Sequence, residues 1–231
     1  MWERFGRVYL ISGDATAYRR VGMVAELRRV GLEEGRNLTM IRGPFKSSHD
    51  AHLPALRDFA KAGAGTALII EDDVRFLKDL KALGAIIASA PPADIVMFDS
   101  FLHLSPEELA KREGHPFMYW TRGVYGASCY SVSRMAAMVL SLSYLRHVDQ
   151  PADSHLFLGH QDLCTVVSTS NAAIQLTYAT ADNARKFGVD VQHKVYERMG
   201  IDYSKYAVPE GFGYGKAIVP DGRIGDIRPC A

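Results

Sequence analysis

Glu71, Asp72 and Asp73 follow directly on the apolar run Ala67-Leu68-Ile69-Ile70. Such a run reads as a buried parallel-sheet strand, and open α/β sheets bind ligands at the carboxyl ends of these strands. Adjacent carboxylates repel by roughly 4 kcal/mol per pair at about 4 Å and intermediate dielectric, so a strand end that tolerates three of them is a place for a cation. Hard oxygen ligands suit Mg²⁺ or Mn²⁺, and such an ion would clamp a diphosphate. An acidic, solvated turn is the plainer alternative. His49 and His52 have the spacing of half a metal site, but no third ligand follows at a suitable distance, which argues against zinc. Gly211-Phe212-Gly213-Tyr214-Gly215-Lys216 lacks the spacing of a phosphate loop and no apolar strand precedes it.

The elements that must position the acids can be read from periodicity. Val8 to Ile11 is a short strand, followed by a polar turn from Ser12 to Thr16. Val21, Val24, Leu27 and Val30 recur at helical spacing, with Gly31 as the stop. Leu53, Leu56 and Ala60 predict a second helix ending near Gly63, and the strand Thr66–Ile70 carries the triplet. Leu77, Leu80, Leu83 and Ile87 predict a third helix stopped by Pro91-Pro92, and Ile95 to Phe98 a further strand. Ser105-Pro106-Glu107-Glu108 has the form of a capping box. Ala127 to Val132 reads as a strand and Ser133 as the cap of a helix whose Met135, Met138, Val139 and Leu142 are expected in the core. This alternation predicts an α/β domain with a mainly parallel sheet flanked by helices. A single domain over residues 1–231 is expected, with a core of about 5–185 and an irregular tail over 186–231.

Composition narrows the class. With 48% hydrophobic and 23% charged residues, the chain is an ordinary globular one, large enough for a substantial core. A formal net charge of +1 supplies no global basic field, so nucleic acid is not an expected partner. Arg19, Arg20, Arg28, Arg29, Arg36 and Arg42 nonetheless crowd the first fifth and could form a local patch. No stretch approaches the roughly 20 apolar residues of a membrane span, and the first residues do not resemble a signal peptide. Cys129, Cys164 and Cys230 form no Cys-x-x-Cys pair and fit a reducing compartment. A cytoplasmic setting is expected, with the inner membrane surface open as a working place.

Several pieces, in order, resemble glycosyltransferase family 25, which includes lipooligosaccharide and collagen galactosyltransferases. Ile11-Ser12-Gly13-Asp14-Ala15-Thr16-Ala17-Tyr18-Arg19 is similar to the family's opening Ile-Asn-Leu-Asp-x-Ser-x-x-Arg, with Ser12 and Gly13 replacing Asn-Leu. Ser48-His49 matches the end of a Gly-Cys-x-x-Ser-His-type segment whose Gly-Cys is absent here. Ile70-Glu71-Asp72-Asp73-Val74 resembles the signature Leu-Glu-Asp-Asp-Val, and Asp94-Ile95-Val96 the strand that follows. Tyr125 to Met138 and Pro151-Ala152-Asp153-Ser154-His155-Leu156-Phe157 resemble the later elements.

The resemblance implies a GT-A-like, Rossmann-type fold, a nucleotide-sugar donor and inverting transfer. It implies Mn²⁺ or Mg²⁺ on Asp73, with Glu71 at the first position of the acidic motif and Asp72 toward ribose or sugar. Arg19, Ser48 and His49 are then expected at the donor, and Asp153 as the general base. Asp149 and Asp162 rival Asp153, which could instead cap a helix beginning at Ser154. His155, His160 and His193 are candidates for a late metal-binding histidine. The implied activity is hexose transfer, from UDP-galactose, to a hydroxyl of a cell-surface glycan such as lipopolysaccharide or lipooligosaccharide. A lipid-linked acceptor would bring peripheral contact with the membrane. A catalytically degenerate nucleotide-sugar-binding protein and a metal-dependent phosphoesterase are the alternatives.

Overall fold

The computed structural model describes residues 1–62, 64–76, 79–99, 117–119, 127–143, 163–168, 172–175, 216–218 and 224–226. The strands are β1 (Arg7–Gly13), β2 (Thr39–Gly43), β3 (Thr66–Glu71), β4 (Val74–Phe76), β5 (Ile95–Met97), β6 (Phe117–Tyr119), β7 (Cys129–Ser133), β8 (Thr165–Ser168), β9 (Ala173–Gln175), β10 (Lys216–Ile218) and β11 (Ile224–Asp226). The helices are α1 (Ala17–Arg29), α2 (Ser48–Ala62), α3 (Leu80–Ser89) and α4 (Arg134–Ser143).

Seven strands form one sheet in the order β2-β1-β3-β7-β5-β8-β6. The strands β2, β1, β3, β5 and β8 run one way, and β7 and β6 run against them. This is the expected α/β architecture with a mainly parallel sheet. Two small antiparallel ladders, β4 with β9 and β10 with β11, lie outside it. The β10–β11 ladder falls within the stretch expected to be an irregular tail.

The chain passes from β1 outward to β2 and then returns across β1 to β3. The connections of β1 and β3 therefore leave in opposite directions, which opens a crevice outside their carboxyl ends. Successive strand residues alternate between two cores. Tyr9, Ile11, Ala67 and Ile69 face α2 and α4, where Ala55, Leu56, Phe59, Ala136, Ala137 and Leu140 are buried. Val8, Leu10, Leu68 and Ile70 face α1 and α3, where Met23, Leu27, Leu83 and Ile87 are buried.

Local signals explain most boundaries. Gly31 follows α1 at φ 82°, a conformation glycine adopts without a Cβ clash. The Asp79 carboxylate caps α3 by accepting from Ala82 N at 2.7 Å, and Ser133 Oγ caps α4 by accepting from Ala136 N at 3.1 Å. At the start of β3, Gly6 N donates to Thr66 O at 2.8 Å. The approach is so close that a Cβ on Gly6 would lie 2.0 Å from the Ala64 carbonyl oxygen.

Two expectations about apolar faces are corrected. Met135, Met138 and Leu142 of α4 are exposed, and the helix buries Ala136, Ala137 and Leu140 instead. Small side chains let α4 lie close against α2, a contact that longer ones would hold apart. Leu80 is likewise exposed in the first turn of α3, whereas Leu83 and Ile87 are buried as expected. Leu77 and the Ser105 capping box lie outside the described residues.

Several cations of the arginine-rich segment are paired with acids. Arg29 is bidentate on the buried Glu26, and Arg36 and Arg42 pair with Glu33 and Glu34. Cys129 is a buried and Cys164 an exposed free cysteine. Among the described residues, no helix is long and apolar enough to cross a membrane.

Candidate functional site

The crevice between β1 and β3 receives Ser12 and Gly13 from the end of β1. It also receives Thr16, Arg19 and Arg20 from the turn and first turn of α1, and the acids from the end of β3. Strand alternation explains how the three acids divide. Glu71 continues the Ile69 side of β3 and meets α2, and Asp72 meets α1.

Asp72 and Asp73 enclose Arg19. Its Nη1 lies 3.0 Å from Asp73 Oδ2 and 3.6 Å from Asp72 Oδ1. All three are buried, with Arg19 at 8%, Asp72 at 5% and Asp73 at 3% exposure, so this is not the solvated helix arginine common on surfaces. Asp72 Oδ2 accepts from Thr16 Oγ1 at 2.7 Å, and Asp72 also accepts a hydrogen bond from Ser12. Burial pushes the Asp72 carboxyl above its ordinary range despite Arg19, Thr16 and Ser12, and the neighbouring Glu71 charge adds to the rise.

Glu71 has a different partner. Its Oε1 lies 2.7 Å from Nε2 of His52, whose Nδ1 lies 3.0 Å from the Tyr130 hydroxyl. His52 is fully buried and stacks on the Tyr130 ring. Burial alone would raise the Glu71 carboxyl, but the hydrogen bond and charge of His52 and the charge of Arg19 hold it below its ordinary range. An ionised Glu71 only accepts, so Nε2 carries the proton of that hydrogen bond. Ser48 Oγ reaches the same Glu71 oxygen at 3.5 Å, a weak contact.

Further along the edge, Asp99 at the end of β5 is fully buried and accepts from Ser128 Oγ. Burial, with the Asp99 charge, raises the Cys129 thiol well above its ordinary value.

The expected residues thus fall into groups. Arg19, Asp72 and Asp73 come together, and Glu71 and Ser48 meet on the α2 side. The His49 side chain, Asp153 and its rivals Asp149 and Asp162, and His155, His160 and His193 lie outside the described residues. Sequence reasoning missed Ser12, Thr16 and Arg20 as crevice groups, although period-two alternation from Leu10 places Ser12 on the Asp72 side. It also missed His52 as the partner of Glu71, a contact that depends on α2 docking against β3.

Among the described residues, no group of three or more His, Cys, Asp or Glu side chains is arranged to hold a metal ion. Asp72 and Asp73 nonetheless offer hard oxygens around one shared cation, the Arg19 guanidinium. Mg²⁺-type ions are commonly held by one or two carboxylates and completed by phosphates and water, a requirement this pair meets.

No family model matches the chain, and no curated protein does. Among solved structures, it is similar to A197 from STIV, with 12% identity over 97% of this chain and 95% of that one and a TM-score of 0.45. It is also similar to the galactosyltransferase LgtC in complex with donor and acceptor sugar analogs, with 10% identity over 88% and 98% of the two chains and a TM-score of 0.46. Mouse xyloside xylosyltransferase 1 shares 14% identity over 82% and 93%, with a TM-score of 0.38. At such identities and scores, function rests on the site itself.

Proposed function

We propose that the chain is a GT-A-like glycosyltransferase that moves a sugar from a nucleoside-diphosphate donor to a hydroxyl of a glycan. The observation that carries this reading is the convergence of three carboxylates and a buried arginine at the β1–β3 switch point. A nucleotide sugar presents hydroxyls that carboxylates can accept from and a diphosphate that requires positive charge. Both needs are served at one crevice.

Asp73 with Asp72 would hold a divalent ion, Mn²⁺ or Mg²⁺, at the oxygens that Arg19 now engages. When bound, such an ion offsets the charge that develops on a departing diphosphate. Glu71, kept ionised by His52, accepts from a ribose or sugar hydroxyl at the α2 side of the crevice. Ser48 and His49 would line that side. Asp153 is proposed as the base that takes the proton of the acceptor hydroxyl, with inversion at the sugar carbon. UDP-galactose as donor, a cell-surface glycan of the lipopolysaccharide type as acceptor, and a cytoplasmic, membrane-peripheral setting complete the reading. These three rest on the family 25 resemblance.

The test is thermal stabilisation by a panel of nucleotide sugars with and without Mn²⁺, followed by turnover of the best donor. A ligand at 100 times its Kd stabilises by about 2.7 kcal/mol, well within detection. Stabilisation by a nucleoside-diphosphate sugar, with nucleotide release that requires an acceptor, is expected. Donor binding without turnover would favour a catalytically degenerate binding protein. Steady phosphate release from simple esters would instead favour a phosphoesterase.

A further inference from the structure

Arg19 and Arg20 are neighbours in the first turn of α1, yet they are used differently. The charge of Arg19 is committed to Asp72 and Asp73. Arg20 donates through Nε to Ser12 Oγ at 3.0 Å, which ties its guanidinium to the carboxyl end of β1. Ser12 in turn bonds Asp72, so Arg20 is linked to the acid cluster through a hydroxyl. Among the described residues no carboxylate pairs with Arg20, and its Nη2 is buried without a hydrogen-bond partner. Buried donors of charged groups are almost always satisfied, and a permanently charged one left unsatisfied at the carboxyl end of β1 is a group that an anion's oxygen would complete.

We propose that Arg20 is the anion-binding residue of the β1–β3 crevice and takes the diphosphate of the nucleotide ligand. This rests on the donor reading above and deepens it. Charge balance supports it. Among the described residues, and before any ion binds, three carboxylates face the single guanidinium of Arg19, a field that repels a diphosphate. A second guanidinium on the β1 side lowers that repulsion and adds a planar fork whose N–H groups match phosphate oxygens. Arg19 was expected at the donor, and on this proposal the diphosphate falls to the adjacent residue.

Calorimetric titration of the full chain with UDP, inorganic pyrophosphate and uridine tests the assignment. Arg20→Ala should weaken UDP and pyrophosphate by about tenfold to a hundredfold, the range for losing a charge-assisted hydrogen bond, and leave uridine unchanged. Arg20→Gln, which keeps most of the side-chain packing and removes the charge, should show the same selective loss if the alanine variant folds poorly. UDP and pyrophosphate binding at wild-type strength in Arg20→Gln overturns the assignment and leaves the donor reading standing. Failure of the unmodified chain to bind either phosphate ligand overturns both.

Discussion

At the amino edge of the sheet, Asp94 accepts from Ser133 Oγ and from Cys164 N, each at 3.0 Å. Nearby, Arg4 donates to the carbonyl oxygens of Ile87 and Ala90 at the end of α3, and Trp2 Nε1 donates to Val30 O at the end of α1. Each of these groups finds a neutral, local partner and joins two elements. At the carboxyl edge, among the described residues, Asp72 and Asp73 meet one guanidinium and Glu71 one imidazole, and Arg20 Nη2 has no hydrogen-bond partner. Among the described residues, one edge of the sheet closes its polar groups and the other concentrates charge. The division teaches where stability and chemistry reside in this chain.

The largest effect is expected from Arg19→Ala. Removing one partner from a buried charge pair typically costs 3–5 kcal/mol, and chemical denaturation should show a loss of about that size. Mn²⁺ should restore more stability to this variant than it adds to the unmodified chain, because the ion takes the place of the guanidinium. A variant as stable as its parent, or one indifferent to Mn²⁺, would break the contrast between the edges.

A smaller loss, about 2–3 kcal/mol, is expected from Asp94→Ala, which removes two hydrogen bonds to a carboxylate. Nucleotide affinity of the folded fraction should not change. Weakened UDP binding in that variant would show that the amino edge also shapes the site.

The smallest effect has the opposite sign. Burial raises the Asp72 carboxyl in the folded chain, so keeping it ionised opposes folding wherever the pH exceeds that raised value. The penalty fades as the pH falls through the folded value and is gone below the unfolded one, about 3.9. Asp72→Asn should therefore melt slightly higher than its parent at pH 7.5, with the gain vanishing toward pH 4, while donor binding weakens. A lower melting temperature at pH 7.5 would mean that Arg19 and the hydroxyls more than offset burial.

What was legible in the sequence follows the same division. The β3 run and its acids stand out because continuous apolarity ending in charge has few other meanings. The helices α1, α2 and α3 showed through their periodicity and their stops at Gly31, Gly63 and Pro91. The strands β2 and β8 did not. Thr39-Met40-Ile41-Arg42-Gly43 mixes polar and apolar residues at the sheet margin, and Thr165-Val166-Val167-Ser168 has only two apolar residues between hydroxyls. On α4 two apolar stripes compete. The larger residues, Met135, Met138 and Leu142, suggested the wrong face because close helix packing favours alanine. The Glu71–His52 pair spans 19 residues and exists only once α2 has docked. Arg19 and Arg20 are indistinguishable as letters, and only the side chains around them separate a counter-ion from an open donor.

The glycine at the start of the sheet bears on this arrangement from the far end of β3. Both faces of that strand are apolar, so hydrophobic alternation carries no information about its register. A slip of one residue would keep both cores greasy while sending Glu71 toward α1 and Asp72 toward α2. The close seat of Gly6 against Ala64 and Thr66 works against that slip. The address of each carboxylate is thus written about 20 Å away, by a side chain that is missing. A methyl group at position 6 would collide with the Ala64 carbonyl and force the backbone at the start of β3 to move.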